Sequence, residues 1–157
     1  MNSKFLSQKI LLNRLNSNRK SGKKIIFTNG CFDILHKGHT AYLQSAKKAG
    51  DILVVGLNSD ASVRRLKGSE RPLNKQNDRA EVLSALECVD YVTLFSEDTP
   101  LDLIHLVRPH VLVKGGDWKK KDVVGASFVE SLGGKVRIIP YIKGFSTTGI
   151  LEKIKSL

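Results

Sequence analysis

Only two cysteines occur, Cys31 and Cys88, and the opening residues contain no secretory h-region, which excludes a disulfide-stapled secreted scaffold. Both read as free thiols of a reducing, cytoplasmic setting. Long apolar runs are missing too. Stretches such as "DILVVGL" at 51–57 and "HVLV" at 110–113 fall well short of the roughly 20 residues that a membrane helix needs. Acidic residues are scarce, 15 against 26 Lys and Arg, and the first of them is Asp33, after seven basic residues. Partners are therefore expected to be anionic: nucleic acid, lipid headgroups or phosphorylated small molecules. An acid-free, Ser-containing start has the character of a transit peptide. Helical spacing of Leu6, Ile10, Leu11 and Leu15 explains the same residues as a leading basic helix in 1–23, packed on a core of 24–157.

At 157 residues the chain fits one domain with a sizeable core. Five short, β-branched segments, each bounded by Gly, Pro, Asn or Asp, predict strands at 24–29, 51–57, 90–95, 110–115 and 135–140. Helical patterns lie between them. In "NDRAEVLSALECV" Val82, Leu83, Leu86 and Val89 share a face, and in "TPLDLIHLV" Thr99 is the expected cap and Pro100 the first helical residue. The alternation indicates an α/β fold: a Rossmann-like three-layer sandwich, with a five-stranded parallel sheet and helices on both faces. Such sheets bind ligands beyond the carboxyl ends of their strands, where strand order reverses.

The stretch "TNGCFDILHKGHTAYL", residues 28–43, falls at that end of the first strand. Neither G-x-G-x-x-G nor G-x-x-x-x-G-K-[ST] occurs, so no dinucleotide fingerprint or P-loop is present. Instead His36 and His39 stand three apart around Gly38, near a helix start whose free amides favour an anion, while Gly30 and Gly38 permit close backbone approach. The pattern suits a phosphate cradle. Cys31, His36 and His39 make a poor zinc set, because a fourth ligand and finger spacing are lacking. His105 and His110 read as structural or surface histidines.

"GCFDILHKGH" resembles the H-x-G-H signature of the cytidylyltransferase-like nucleotidyltransferases, and "FSTTGI" at 145–150 their C-terminal signature. "GLNSDASVRRLKGSERPLNKQNDRAEVLSAL", "CVDYVTLFSEDTPLDLI" and "PHVLVKGGDW" are similar to the members that form ADP-heptose from D-glycero-β-D-manno-heptose 1-phosphate and ATP. With no sugar-kinase stretch in the sequence, the resemblance is to the stand-alone form. It implies direct in-line attack of a sugar 1-phosphate on ATP, with Mg2+ accompanying the nucleotide, no protein-held metal, and a homodimer.

The resemblance implies catalytic roles for His36, His39 and Lys67. It places Thr28, Asn29, Gly30, Phe32, Gly38, Gly115, Asp117, Ser146, Thr147 and Thr148 at the nucleotide, and Cys31, Asp33, Asn58, Arg71 and Trp118 at the sugar phosphate. Asp60 reads equally well as a helix cap. Arg79 matches a family arginine but sits where a plain exposed helix position is expected. Lys119, Lys120 and Lys121 depart from the family pattern and read as a solvated loop. Two alternatives remain: a cytidylyltransferase acting on glycerol 3-phosphate or a similar alcohol phosphate, and, outside enzymes, a basic nucleic-acid-binding module. Against the module, Phe27 and Tyr91 fall in strands and Trp118 stands alone.

Overall fold

A computed structural model describes residues 3–157, so the first two residues of the leading basic segment lie outside the described part. The strands are β1 (Ile25–Gly30), β2 (Ile52–Asn58), β3 (Tyr91–Phe95), β4 (Val111–Gly115) and β5 (Lys135–Ile139). All pair in parallel, in the order β3-β2-β1-β4-β5. The chain therefore winds outward from β1 to one edge, returns, and continues from β4 to the other. The reversal lies between β1 and β4, where the sequence argument places a site.

Among the described residues seven α-helices connect and flank these strands: α1 (Gln8–Lys20), α2 (Lys37–Lys47), α3 (Asp60–Lys67), α4 (Gln76–Ser84), α5 (Leu101–Val107), α6 (Ala126–Ser131) and α7 (Thr147–Lys155). The strands' alternating side chains divide the interior into two layers. Ile25, Phe27, Val54 and Leu112 pack with Leu11 and Leu15 of α1, Leu103 and Ile104 of α5 and Val129 of α6. Ile26, Leu53, Val55 and Val113 pack with Leu43 and Ala46 of α2 and Ala80 and Leu83 of α4. The leading helix is thus anchored as its spacing predicts, though Ile10 stays 49% exposed. Ahead of it the chain adds a bridge to the β3 edge: Leu6 N–H donates to Val92 O and Val92 N–H to Lys4 O, both at 2.9 Å.

Three local expectations are corrected. Pro100, not Thr99, caps α5, and no side chain bonds its first turn. Ser59 caps α3 by accepting from Ser62 N–H, which leaves Asp60 as the first helical residue. On α4 the face is rotated: Val82 is 52% exposed, while Arg79 is buried at 2% exposure. Polar partners for the guanidinium decide that rotation. Lys47, at the end of α2, meets Asp90 at 2.5 Å, and the same Asp90 oxygen accepts from Leu53 N–H at 2.7 Å, fixing α2 against β2 and β3.

Candidate active site

The turn from β1 into α2 is held from outside. Arg79 donates to Cys31 O at 2.6 Å, to Asn74 O at 3.0 Å and to Asp60 at 2.8 Å. Two residues on, the Asp33 carboxylate accepts from Arg71 Nε at 2.7 Å, Leu73 N–H at 2.9 Å and Asn74 N–H at 2.9 Å. Burial alone would raise the Asp33 pKa; these donors outweigh it and hold it below the ordinary carboxylate value. Between the clamps Phe32 takes φ +45°, an uncommon conformation for a residue with a side chain. Its ring covers Gly30, where an added Cβ would lie 2.8 Å from it, and tilts against His39 at 5.2 Å. Gly30 is therefore required by Phe32.

His36 caps α2 through Nδ1, which accepts from Gly38 N–H at 3.1 Å. That bond leaves the neutral ring's proton on Nε2. The His36 and His39 rings stack at 3.9 Å. A Cβ on Gly38 would sit 2.9 Å from the His36 ring, so glycine is what lets the cap close. Burial and the neighbouring His36 pull the His39 pKa down to about 4, with the Ile34 backbone pulling weakly the other way. Both rings are consequently neutral donors near pH 7. His39 Nδ1 is buried and makes no hydrogen bond among the described residues.

The second signature meets the first here. Phe145 Cβ would be 3.2 Å from a Cβ on Gly38, and Lys37 Nζ lies 5.4 Å from the Phe145 ring. Ser146 caps α7 by accepting from Gly149 N–H at 2.9 Å, and Thr147 and Thr148 follow. Two helix starts, α2 and α7, thus adjoin at one rim, each with free amides suited to phosphate oxygens.

At the end of β4, Gly115 and Gly116 admit Tyr42 and Tyr141: an added Cβ on Gly116, whose φ is +104°, would lie 2.6 Å from the Tyr141 ring. The Tyr42 hydroxyl is 2.6 Å from Thr28 Oγ1 and donates to Val113 O, and burial pushes its pKa up to about 12. Thr28 thus spends its side chain inside the fold. Asn58 does likewise, donating to Ser62 Oγ at 3.0 Å. Asp117 and Trp118 are exposed at the rim, and Lys119, Lys120 and Lys121 are exposed around a 3-10 turn at Lys120–Asp122. Lys67 is the last residue of α3 and acts, with Arg79 and Arg71, on the Cys31 thiol, whose pKa burial nevertheless raises.

Arg79 is therefore a structural clamp rather than the exposed residue the sequence suggested. Lys114, the residue before Gly115 in β4, escaped sequence reasoning, which read it only as part of the strand at 110–115. A hollow of about 430 Å³ at the opposite end of the sheet is lined by Arg19, Arg108 and His110, among others. There Arg19 bonds Val107 O and Arg108 O, covering the end of α5, and His110 accepts from Ile25 N–H, so these polar groups already have structural uses.

An open parallel sheet, a strand-order reversal and two adjoining helix starts with a stacked histidine pair define a Rossmann-like nucleotide-binding domain. The chain belongs to the cytidylyltransferase-like family, whose model matches residues 27–156. By family it is an enzyme of nucleotidyl transfer, which sets aside the nucleic-acid-binding module. Among curated relatives, Bifunctional protein HldE of Trichlorobacter lovleyi is 53% identical over 97% of this chain. Its counterpart in Geotalea uraniireducens is 60% identical over 86%. The chain spans about three-tenths of the length of these relatives, 31% and 28%. A lipopolysaccharide core biosynthesis protein from Thermoplasma volcanium is 31% identical with a TM-score of 0.63, the match covering 79% of this chain and all of that one. A pantothenate synthetase from Thermus thermophilus, 17% identical at a TM-score of 0.61, shares the fold. No helix among the described residues is long and apolar enough to cross a membrane.

Proposed function

We propose that this domain transfers AMP from ATP to D-glycero-β-D-manno-heptose 1-phosphate, releasing pyrophosphate and forming ADP-heptose for a bacterial surface glycolipid. The observation that carries the reading is the meeting of "HKGH" and "STTG" at one rim, with the His36 and His39 rings stacked 3.9 Å apart. Support for the sugar comes from the relatives named HldE, which are similar across nearly the whole chain, and from the lipopolysaccharide core biosynthesis protein.

An oxygen of the sugar phosphate forms a bond to the α-phosphorus, and the bond from that phosphorus to the oxygen leading to the β-phosphate breaks. The chain need supply no covalent nucleophile, only position and positive charge. His36 Nε2–H, His39, the α2 and α7 amides and the hydroxyls of Ser146, Thr147 and Thr148 hold the triphosphate. Backbone groups of Thr28, Asn29, Gly30 and Phe32, with Gly38, Gly115 and Asp117, line the nucleotide. Lys67 reaches its phosphates. Cys31, Arg71 and Trp118 border the acceptor, while Asp33 and Asn58 shape that border through their internal bonds. Magnesium enters as MgATP, part of the substrate. The domain works in the cytoplasm as a homodimer.

Pyrophosphate release tests this, with ATP and CTP crossed against the β and α anomers of the heptose phosphate and against glycerol 3-phosphate. Turnover confined to ATP and the β anomer is the expected result. Turnover with CTP and glycerol 3-phosphate would move the substrate to the alternative cytidylyltransferase.

A further inference from the structure

Cys31 lies among an unusual number of cations. Lys67, Arg71 and Arg79 all act on its thiol, and Lys114 feels it in turn. Two of the four are answered: Arg71 by Asp33 at 2.7 Å and Arg79 by Asp60 at 2.8 Å. Lys67 and Lys114 have no hydrogen-bond or ion-pair partner among the described residues. Lys67 is exposed and costs nothing in water. Lys114 differs, because its stem is half-buried at the end of β4, and a cation partly withdrawn from water without an anion is a standing cost unless an anion arrives. Its Nζ lies 5.8 Å from the ring centroid of Trp118, itself 49% exposed.

The direction of Lys114 is set by the pleat. Val111 and Val113 belong to the layer that packs on α2, whereas Leu112 belongs to the layer that packs on α5 and α6, and Lys114 follows Leu112. His36 and His39 stand at the start of α2, on the other side. In-line displacement places the attacking oxygen opposite the leaving group. With the pyrophosphate held by the histidines and α7, the Lys114 side is the one left for the acceptor. We propose that Lys114 anchors the phosphate of the acceptor sugar, with the Trp118 ring as the wall against which the sugar lies. This rests on the nucleotidyl-transfer reading and assigns to it a specificity residue.

The test is Lys114→Met and Lys114→Arg in the full chain, with thermal melts as the folding control. KM for the heptose phosphate should rise about tenfold to a hundredfold in the Met variant, the effect of losing one charge-assisted bond. KM for ATP should stay within about threefold and kcat should fall less than the acceptor KM rises, while Arg should restore part of the loss. A larger effect on ATP than on the acceptor, or no effect on either, would overturn the assignment. A second measurement stands if the Met variant does not fold or if the wild-type protein turns over no heptose phosphate. In wild-type protein, inorganic phosphate or a hexose 1-phosphate should protect Lys114 from acetylation, read by mass spectrometry, more than an equal concentration of chloride does. Equal labelling in all three salts would refute the anchor even if the transferase reading stood. Protection without turnover would sink the heptose reading and keep the anchor.

Discussion

Arg79→Met offers the most demanding check on how the site is built. The substitution removes the bonds to Cys31 O, Asn74 O and Asp60, and leaves two partly buried carbonyls and one carboxylate without their donor. Removing one partner of a buried pair costs about 3–5 kcal/mol. Asp60 is 22% exposed and recovers some hydration, which favours the lower half of that range. For a domain of this size each kcal/mol shifts the melting temperature by about 2–4 °C, so a fall of roughly 6–15 °C is expected. Urea unfolding of wild type, Arg79→Met, Asp60→Asn and the double variant gives the cycle. The double variant should be less destabilised than the sum of the singles, by about 1–3 kcal/mol. Loss of less than about 1 kcal/mol in Arg79→Met, or strict additivity in the cycle, would refute the clamp.

His36→Ala or His39→Ala should lower kcat about a hundredfold, as loss of a preorganised donor at developing charge does, and His36→Ala should also lower the melting temperature by about 2–4 °C because it removes the α2 cap; near-normal turnover in both variants would remove the phosphate cradle. His39 also predicts a pH dependence. With its pKa near 4 folded and 6.5 unfolded, the unfolded chain binds the extra proton between those values. Its contribution is therefore complete above about pH 6.5 and is lost as pH falls toward 4; full desolvation would make that about 3 kcal/mol, and partial exposure discounts it to about 1 kcal/mol. Urea midpoints at pH 7 and pH 5 should converge more in His39→Gln than in wild type. Iodoacetamide should modify Cys31 slowly at pH 7 and faster near pH 9, because burial raises its pKa. Modification should inhibit and ATP should protect; full activity of completely alkylated protein would make Cys31 purely structural.

All five strands lie within a residue or so of their predicted bounds, because each is a short apolar run closed by a breaker; the central β1 and β2 are buried on both faces, and even the edge strand β5, with Lys135 and Arg137 exposed, keeps its apolar alternation. The stacked histidines were equally legible: His36, Gly38 and His39 depend on one another within four residues. Arg79 was not. A helical pattern ranks residues by hydropathy, and nothing local tells a buried guanidinium from an exposed one when its partners lie 19 and 48 residues away. Asp33 misled for the same reason, since an acceptor-only side chain at a rim suits sugar hydroxyls until Arg71, Leu73 and Asn74 are seen to occupy it. Val82 is exposed because Arg79 takes the inward face. Lys114 stands out only against the pleat and the cations brought to Cys31 from three other segments.

The bridge from Phe5 to Val92 has a consequence for assembly. It occupies the β3 side of the sheet with the chain's own leading residues, while β5, carrying exposed Lys135 and Arg137, has no neighbour on its outer side among the described residues. A molecule with two open flanks can add copies without end, as fibres do. One with a single open flank can join one other and is then finished. The short leading segment thereby leaves β5 as the one sheet edge open to strand addition among the described residues, and its exposed Lys135 and Arg137 disfavour that addition.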